Sequence, residues 1–251
     1  RLTSHTGNET PLEVLSDGSI LFSANIQQDA SYGDFPGTAQ LYKVGKDGGK
    51  PQLVTSLPIS NISVSEEGDT MHIIYEDYKG YEDPLRKHHT SSVTRDIWRY
   101  TPDSSDNGFK ITGNGKFDKL SGFVGEDRNP VFAADGNTFY YISEQDGTYN
   151  IYRSSITNPE KSEQLTFYKG NPVRYLSISA NDILCYSYDG ELYTLRQGAQ
   201  PQKVGITITT DKIERDAQLQ TIASGATQLA LSPNGKEVAV TARGDVYVTS
   251  I

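Results

Sequence analysis

Residues 134–153 read Ala134-Asp135-Gly136-Asn137-Thr138-Phe139-Tyr140-Tyr141-Ile142-Ser143-Glu144-Gln145-Asp146-Gly147-Thr148-Tyr149-Asn150-Ile151-Tyr152-Arg153. An Asp-Gly turn leads into an apolar run, Phe139-Tyr140-Tyr141-Ile142, and then into a cassette, Ile151-Tyr152-Arg153, preceded by a polar Asn150. Asp-Gly tolerates positive φ at a tight hairpin, so the turn joins two antiparallel strands. Glu163-Gln164-Leu165-Thr166 then supplies a fourth short strand.

The same grammar recurs along the chain. Turn signals stand at Ser16-Asp17-Gly18, Glu66-Glu67-Gly68, Ala180-Asn181-Asp182 and Pro233-Asn234-Gly235, each followed by an apolar or alternating run. Cassettes follow at Leu41-Tyr42-Lys43-Val44, Ile97-Trp98-Arg99-Tyr100, Leu192-Tyr193-Thr194-Leu195 and Val246-Tyr247-Val248. Gln40, Asp96, Glu191 and Asp245 precede them. Positions 18, 68, 136, 182 and 235 are 50, 68, 46 and 53 residues apart. Four-stranded units of about 40–50 residues are the signature of β-propeller blades. A β-sandwich also uses short strands, but it would not repeat one four-strand grammar five times. The expected fold is therefore all-β, a propeller of four-stranded blades at approximately 4–55, 56–121, 122–167, 168–210 and 211–251. Period-two alternation within each strand lets successive blades pack face to face.

Composition agrees. The chain has 251 residues with 16 Tyr, 23 Gly and 11 Pro, but only 35% hydrophobic residues, which favours short strands over long helices. With 23 Lys+Arg against 32 Asp+Glu the net charge is −9, which argues against nucleic acid or an anionic membrane as partner. No run of about 18 apolar residues exists, so membrane insertion is not expected. The single Cys185 excludes an internal disulfide framework, and its predicted strand position suits a small buried hydrophobe.

The final repeat stops after its third strand, while Arg1-Leu2-Thr3 looks like the tail of a fourth. Two arrangements fit. Residues 1–3 complete the last blade and close a ring, or the chain is a slice of a larger six- or seven-bladed ring.

Loops joining second to third strands share one face with the connections between blades. Two such loops are long, Asn25 to Thr38 and Glu76 to Arg95. The connections Gly125 to Pro130 and Lys169 to Arg174 are expected beside them. Loops on a rigid scaffold concentrate binding residues. Arg86, Lys87, His88, His89 and Arg95 form a basic cluster in an acidic protein, able to attract a peptide carboxylate or an acidic partner. Asp127, Arg128 and Arg174 are expected to frame the same rim. The structural alternative for each is an ion pair that fixes loop conformation.

Catalytic and metal signals are weak. His88-His89 with Ser91, Ser92 and Asp96 does not supply a triad with an oxyanion hole, and no Gly-x-Ser-x-Gly elbow occurs. Asp103-Ser104-Ser105-Asp106-Asn107-Gly108 opens like a calcium loop, but Asn114 stands where the bidentate Glu belongs. Glu66-Glu67 and Glu126-Asp127 read as surface carboxylates. Without a phosphate loop or dinucleotide fingerprint, no cofactor and no metal are expected.

Gly80-Tyr81-Glu82-Asp83-Pro84-Leu85-Arg86-Lys87-His88-His89 through Asp96-Ile97-Trp98, Gly125 to Phe132, and Ser224 to Ala239 resemble the propeller of tricorn-like serine proteases of the Bacteroidetes type. The turn signals also resemble TolB-like and WD-like repeats. In the tricorn-like family the propeller precedes a PDZ-like domain and a C-terminal serine protease domain. The resemblance thus implies a non-catalytic part of a larger hydrolase that gates or guides polypeptide substrate, or scaffolds an oligomer. It further implies a periplasmic or exported setting, with a cytoplasmic one also open. A stand-alone TolB-like protein-binding propeller is the alternative, and an autonomous propeller hydrolase a third reading.

Overall fold

The computed structural model describes residues 1–4, 7–26, 39–68, 70–78, 91, 93–102, 115–207 and 223–251. No helix occurs among them. The chain divides into two bodies, Arg1–Gly205 and Ile206–Ile251.

The first body contains four antiparallel four-stranded meanders. Sheet 1 is β1 (Glu9–Val14), β2 (Ile20–Ala24), β3 (Gln40–Gly45) and β4 (Gly48–Thr55). Sheet 2 is β5 (Ile59–Glu67), β6 (Thr70–Asp77), β7 (Ile97–Thr101) and β8 (Lys116–Lys119). Sheet 3 is β9 (Asp127–Phe132), β10 (Thr138–Ser143), β11 (Asn150–Ser155) and β12 (Glu163–Gln164). Sheet 4 is β13 (Arg174–Ile178), β14 (Leu184–Tyr188), β15 (Glu191–Leu195) and β16 (Gln202–Lys203). The second body carries one three-stranded meander, β17 (Ala226–Leu231), β18 (Glu237–Ala242) and β19 (Asp245–Ser250).

The turn signals make these hairpins for a local reason. Asp135 accepts the amides of Asn137 and Thr138 at 2.9 and 2.7 Å, while Gly136 adopts φ +67°, where an L side chain is disfavoured. At the equivalent place in sheet 4, Asp182 takes φ +55° itself, and its carboxylate accepts the Ala134 amide of sheet 3 at 2.7 Å. The turn residue thus also ties two sheets together.

Alternation sorts the apolar side chains into seams. Leu21 and Leu41 of sheet 1 meet Ile73 and Tyr75 of sheet 2. Ile74 and Ile97, from the other face of sheet 2, meet Phe132, Phe139 and Tyr141 of sheet 3. Tyr140, Ile142 and Ile151 then meet Leu184 and Tyr186 of sheet 4. The core is therefore a series of inter-sheet layers, and each fully buried Ile contributes about 1.5–3 kcal/mol. The cassette residues Tyr100 and Tyr152 are buried in these layers, as their spacing implies. Leu2 packs with Phe22, Ala24, Tyr42 and Val44 on the remaining face of sheet 1, and residues 1–4 form no strand. Cys185 is only half-buried, because its side of β14 faces away from the layer that Leu184 and Tyr186 enter.

The polar residue before the cassette of sheet 3 pins the connection to sheet 4. Asn150, fully buried, accepts the Tyr168 amide at 2.8 Å and the Thr166 hydroxyl at 2.9 Å, and donates to the Tyr168 carbonyl at 3.0 Å. The Thr166 hydroxyl accepts the Ile151 amide at 2.9 Å, and Ser121 does the same for Ile97 at 3.1 Å. Buried backbone groups at these corners are therefore satisfied by side chains, which holds each connection at a defined height.

Candidate functional site

The first strand of sheets 2, 3 and 4 carries the same irregularity. In β5, Asn61 and Ile62 together oppose the single residue Tyr75 of β6. Asn129 and Pro130 oppose Tyr141, and Tyr175 and Leu176 oppose Tyr186. The leading bulge residues Asn61, Asn129 and Tyr175 lie at φ +45°, +48° and +57°. A two-against-one bulge with a left-handed first residue turns the strand and re-aims the neighbouring side chains. The opposing tyrosines are buried, and burial raises all three phenols above their ordinary value, Tyr141 to about 12.

Glu76 is the hub beneath these bulges. Its side chain is fully buried, and Oε1 accepts from the Asn61 amide group at 2.7 Å, the Ser60 hydroxyl at 3.0 Å and the Arg95 guanidinium. Oε2 accepts the backbone amide of Asn129, from the next sheet, at 2.9 Å. Arg95 also donates to Ser60 at 2.9 Å and lies 5.5 Å over the Tyr78 ring. Its backbone amide donates to the buried Glu126 at 3.1 Å, and Glu126 pairs with Arg128 at 3.2 Å. A buried charge is tolerated when it is paired and hydrogen-bonded, a condition that Glu76 meets, whereas Glu126 Oε1 and Arg128 Nε are ion-paired without hydrogen-bond geometry.

Asp127 is the anomaly. It stands nine residues before Gly136, where Ile59 and Val173 stand before Gly68 and Asp182, and all three positions are buried. An acid thus occupies an apolar site. Burial pushes it up to about 7; Asp96 adds to the rise, while the Ser143 and Ser121 hydroxyls and Lys119 oppose it. Neither hydroxyl reaches Asp127 in good hydrogen-bond geometry. Lys119 is itself engaged with Asp96 at 2.9 Å.

A pocket of about 150 Å³ opens where sheets 2, 3 and 4 bring their bulges together. Arg128 and Arg174, the bulge residues Asn61, Asn129 and Tyr175, and Ile142 line it. Ile142 and Glu76 hold equivalent places in their sheets, each just after the tyrosine that opposes the bulge. Where Glu76 fills the seam between sheets 2 and 3 with an ionic network, the smaller apolar Ile142 leaves space between sheets 3 and 4.

Among the residues singled out in the sequence, Arg128 and Arg174 line this pocket. Arg95 does not line it and is held by Glu76, and Asp127 is buried in the seam. Arg86, Lys87, His88 and His89 lie outside the described residues. Glu126 and Asp127 are not surface carboxylates: both are fully buried, because β9 begins at Asp127 and carries them into the layer. Likewise Glu76 belongs to β6 and Arg174 to β13, and neither is a loop residue. Asn61, Tyr175 and Glu76 were missed. A polar residue directly after an apolar run, as in Tyr75-Glu76, was the available signal for the last.

No protein-family model matches the chain, and no curated protein matches it. Solved structures do. The tricorn protease structure matches with a TM-score of 0.61 at 18% identity, over 96% of this chain and 21% of that one. A putative TolB from Agrobacterium tumefaciens matches with a TM-score of 0.51 at 19% identity, over 74% of this chain and 61% of that one. A chain of a nidogen/laminin complex matches with a TM-score of 0.50 at 14% identity, over 96% and 74%. The fold is a β-propeller. The meanders are its blades, and the likeness to the tricorn and TolB structures is one of fold. This chain spans about a fifth of the tricorn protease chain and less than two thirds of the TolB chain.

Proposed function

We propose that this chain is a non-catalytic propeller module that receives unfolded polypeptide on the face carrying Arg95, Arg128 and Arg174, and that it serves a larger tricorn-like serine protease as gate, guide or assembly scaffold. The observation that supports the reading is the match in fold of nearly the whole chain to about one fifth of the tricorn protease chain. The pocket between the bulges supports it, since it is lined by two arginines at a scale suited to a side chain. An exported setting belongs to the same proposal. The TolB likeness favours a second reading, a self-sufficient protein-binding propeller, which differs in the mass of the native polypeptide.

The test places benzoylphenylalanine at Val124, which is 90% exposed in the connection on the proposed face, or at Asn158, which is exposed in the turn at the opposite end of blade 3. Permanently unfolded, carboxymethylated α-lactalbumin should cross-link to position 124 and not to 158, and folded α-lactalbumin should cross-link to neither. Equal labelling at both positions, or none, overturns the binding face. Peptide cleavage by the isolated chain that Ser91→Ala abolishes overturns the non-catalytic assignment. A native mass several times 27.6 kDa, detected in source cells, separates the protease module from the self-sufficient propeller.

A further inference from the structure

Tyr175 occupies the left-handed region at φ +57° while its side chain is 70% exposed. For a bulky L residue that conformation costs about 1–2 kcal/mol, and the two equivalent bulges use asparagine, which tolerates it better. No burial of the ring offsets the cost. A strained backbone that presents an aromatic ring to solvent is an observation that points toward contact with a ligand.

The ring lies at the pocket that Arg128 and Arg174 line. A volume of about 150 Å³ admits the end of one side chain, not a cofactor or a folded partner. Its chemistry is donor-rich. The local carboxylate Glu126 engages Arg128 from within the blade, and Glu76 is occupied by Arg95, Ser60, Asn61 and the Asn129 amide. Arg174 is engaged within the protein, and a guanidinium carries five N–H donors in a fork, a geometry that can hold a protein partner and a ligand together. Two arginines lining one small space match a carboxylate better than an amide or a cation.

Resting on the polypeptide-binding reading above, we propose that this pocket selects an acidic side chain, aspartate or glutamate, of the bound polypeptide. The guanidinium groups of Arg128 and Arg174 hold its carboxylate, and the Tyr175 ring packs against the adjoining chain. The preference runs against the −9 net charge of the protein, so it is a local property of the pocket and strengthens as ionic strength falls.

The test uses the 251-residue chain labelled with ¹⁵N-arginine and the capped peptides acetyl-Gly-Ala-Xaa-Ala-Gly-amide, with Xaa glutamate, glutamine or lysine. Capping leaves the side chain as the only carboxylate. The glutamate peptide should move the Nε signals of Arg128 and Arg174 and bind at least about tenfold more tightly than the glutamine peptide, as hydrogen bonds to a charged group require. Arg174→Gln should abolish that preference. Tyr175→Asn, the residue of the other two bulges, should keep or raise the unfolding midpoint and weaken the glutamate peptide several-fold. Equal affinity for glutamate and glutamine overturns acid selection and leaves polypeptide binding standing. Arginine signals unmoved by any peptide, with cross-linking at position 124 intact, show that polypeptide binds elsewhere and overturn the pocket. Loss of both overturns the two proposals together.

Discussion

Replacing Asp127 with valine should make the protein more stable at neutral pH and remove a pH dependence that wild type carries. In the unfolded chain this acid loses its proton near the ordinary value of 3.8, whereas the folded protein retains it up to about 7. Between those values the unfolded state gains from ionisation and the folded state does not, so stability falls as pH rises and levels off above 7. The full difference corresponds to about 4 kcal/mol, since each tenfold change in acidity is worth 1.36 kcal/mol. Valine is the residue of the equivalent place in the next seam, so its shape is accommodated there. The assay is urea unfolding at pH 4.5, 6, 7 and 8, followed by the fluorescence of Trp98. That residue is the only tryptophan and lies in β7 of the same body. Subtracting the two curves cancels the other titrating groups. The variant should match wild type within about 1 kcal/mol at pH 4.5 and exceed it by 2–4 kcal/mol at pH 8. Asp127→Asn should follow the same trend with a smaller gain, because its amide remains buried. A difference independent of pH, or a variant weaker than wild type at pH 8, refutes the assignment of an uncompensated acid to this seam.

Glu76→Gln should cost about 3 kcal/mol by the same Trp98 assay, because it leaves the Arg95 guanidinium, 14% exposed, without its counter-charge. Thr166→Val removes the hydroxyl that accepts the Ile151 amide and should cost about 1–3 kcal/mol, measured as a lower urea midpoint with unchanged slope. Gly136→Ala should lower stability by about 1–2 kcal/mol, since the position needs φ +67° and a Cβ would lie 2.5 Å from the Ser65 hydroxyl.

The repeat grammar was legible because each of its parts has a local cause. Asp135-Gly136 closes a hairpin through the bonds that the Asp135 carboxylate accepts from nearby amides, and Phe139-Tyr140-Tyr141-Ile142 alternates because two neighbours need two faces. The polar residue before each cassette was visible as a pattern, but its work in pinning the connection through Asn150 and Thr166 needed coordinates. The site was less legible. Arg128 and Arg174 were readable as cations near sheet ends, yet the bulge that brings them together depends on pairing with strands 10–20 residues away. Asp127 looked like one more surface acid, since nothing local distinguishes an acid at the first position of a buried strand from one in the preceding loop.

The shared bulge has a practical consequence for engineering. Strand pairing sets its geometry in three successive blades, while the occupant of the leading position varies between asparagine and tyrosine. Positions 61, 129 and 175 therefore behave like three sockets of one pattern, and residues that tolerate a left-handed backbone can be exchanged among them without redrawing the sheets. A small combinatorial library at those sockets would vary the side chains around the pocket while the seams below continue to hold the blades.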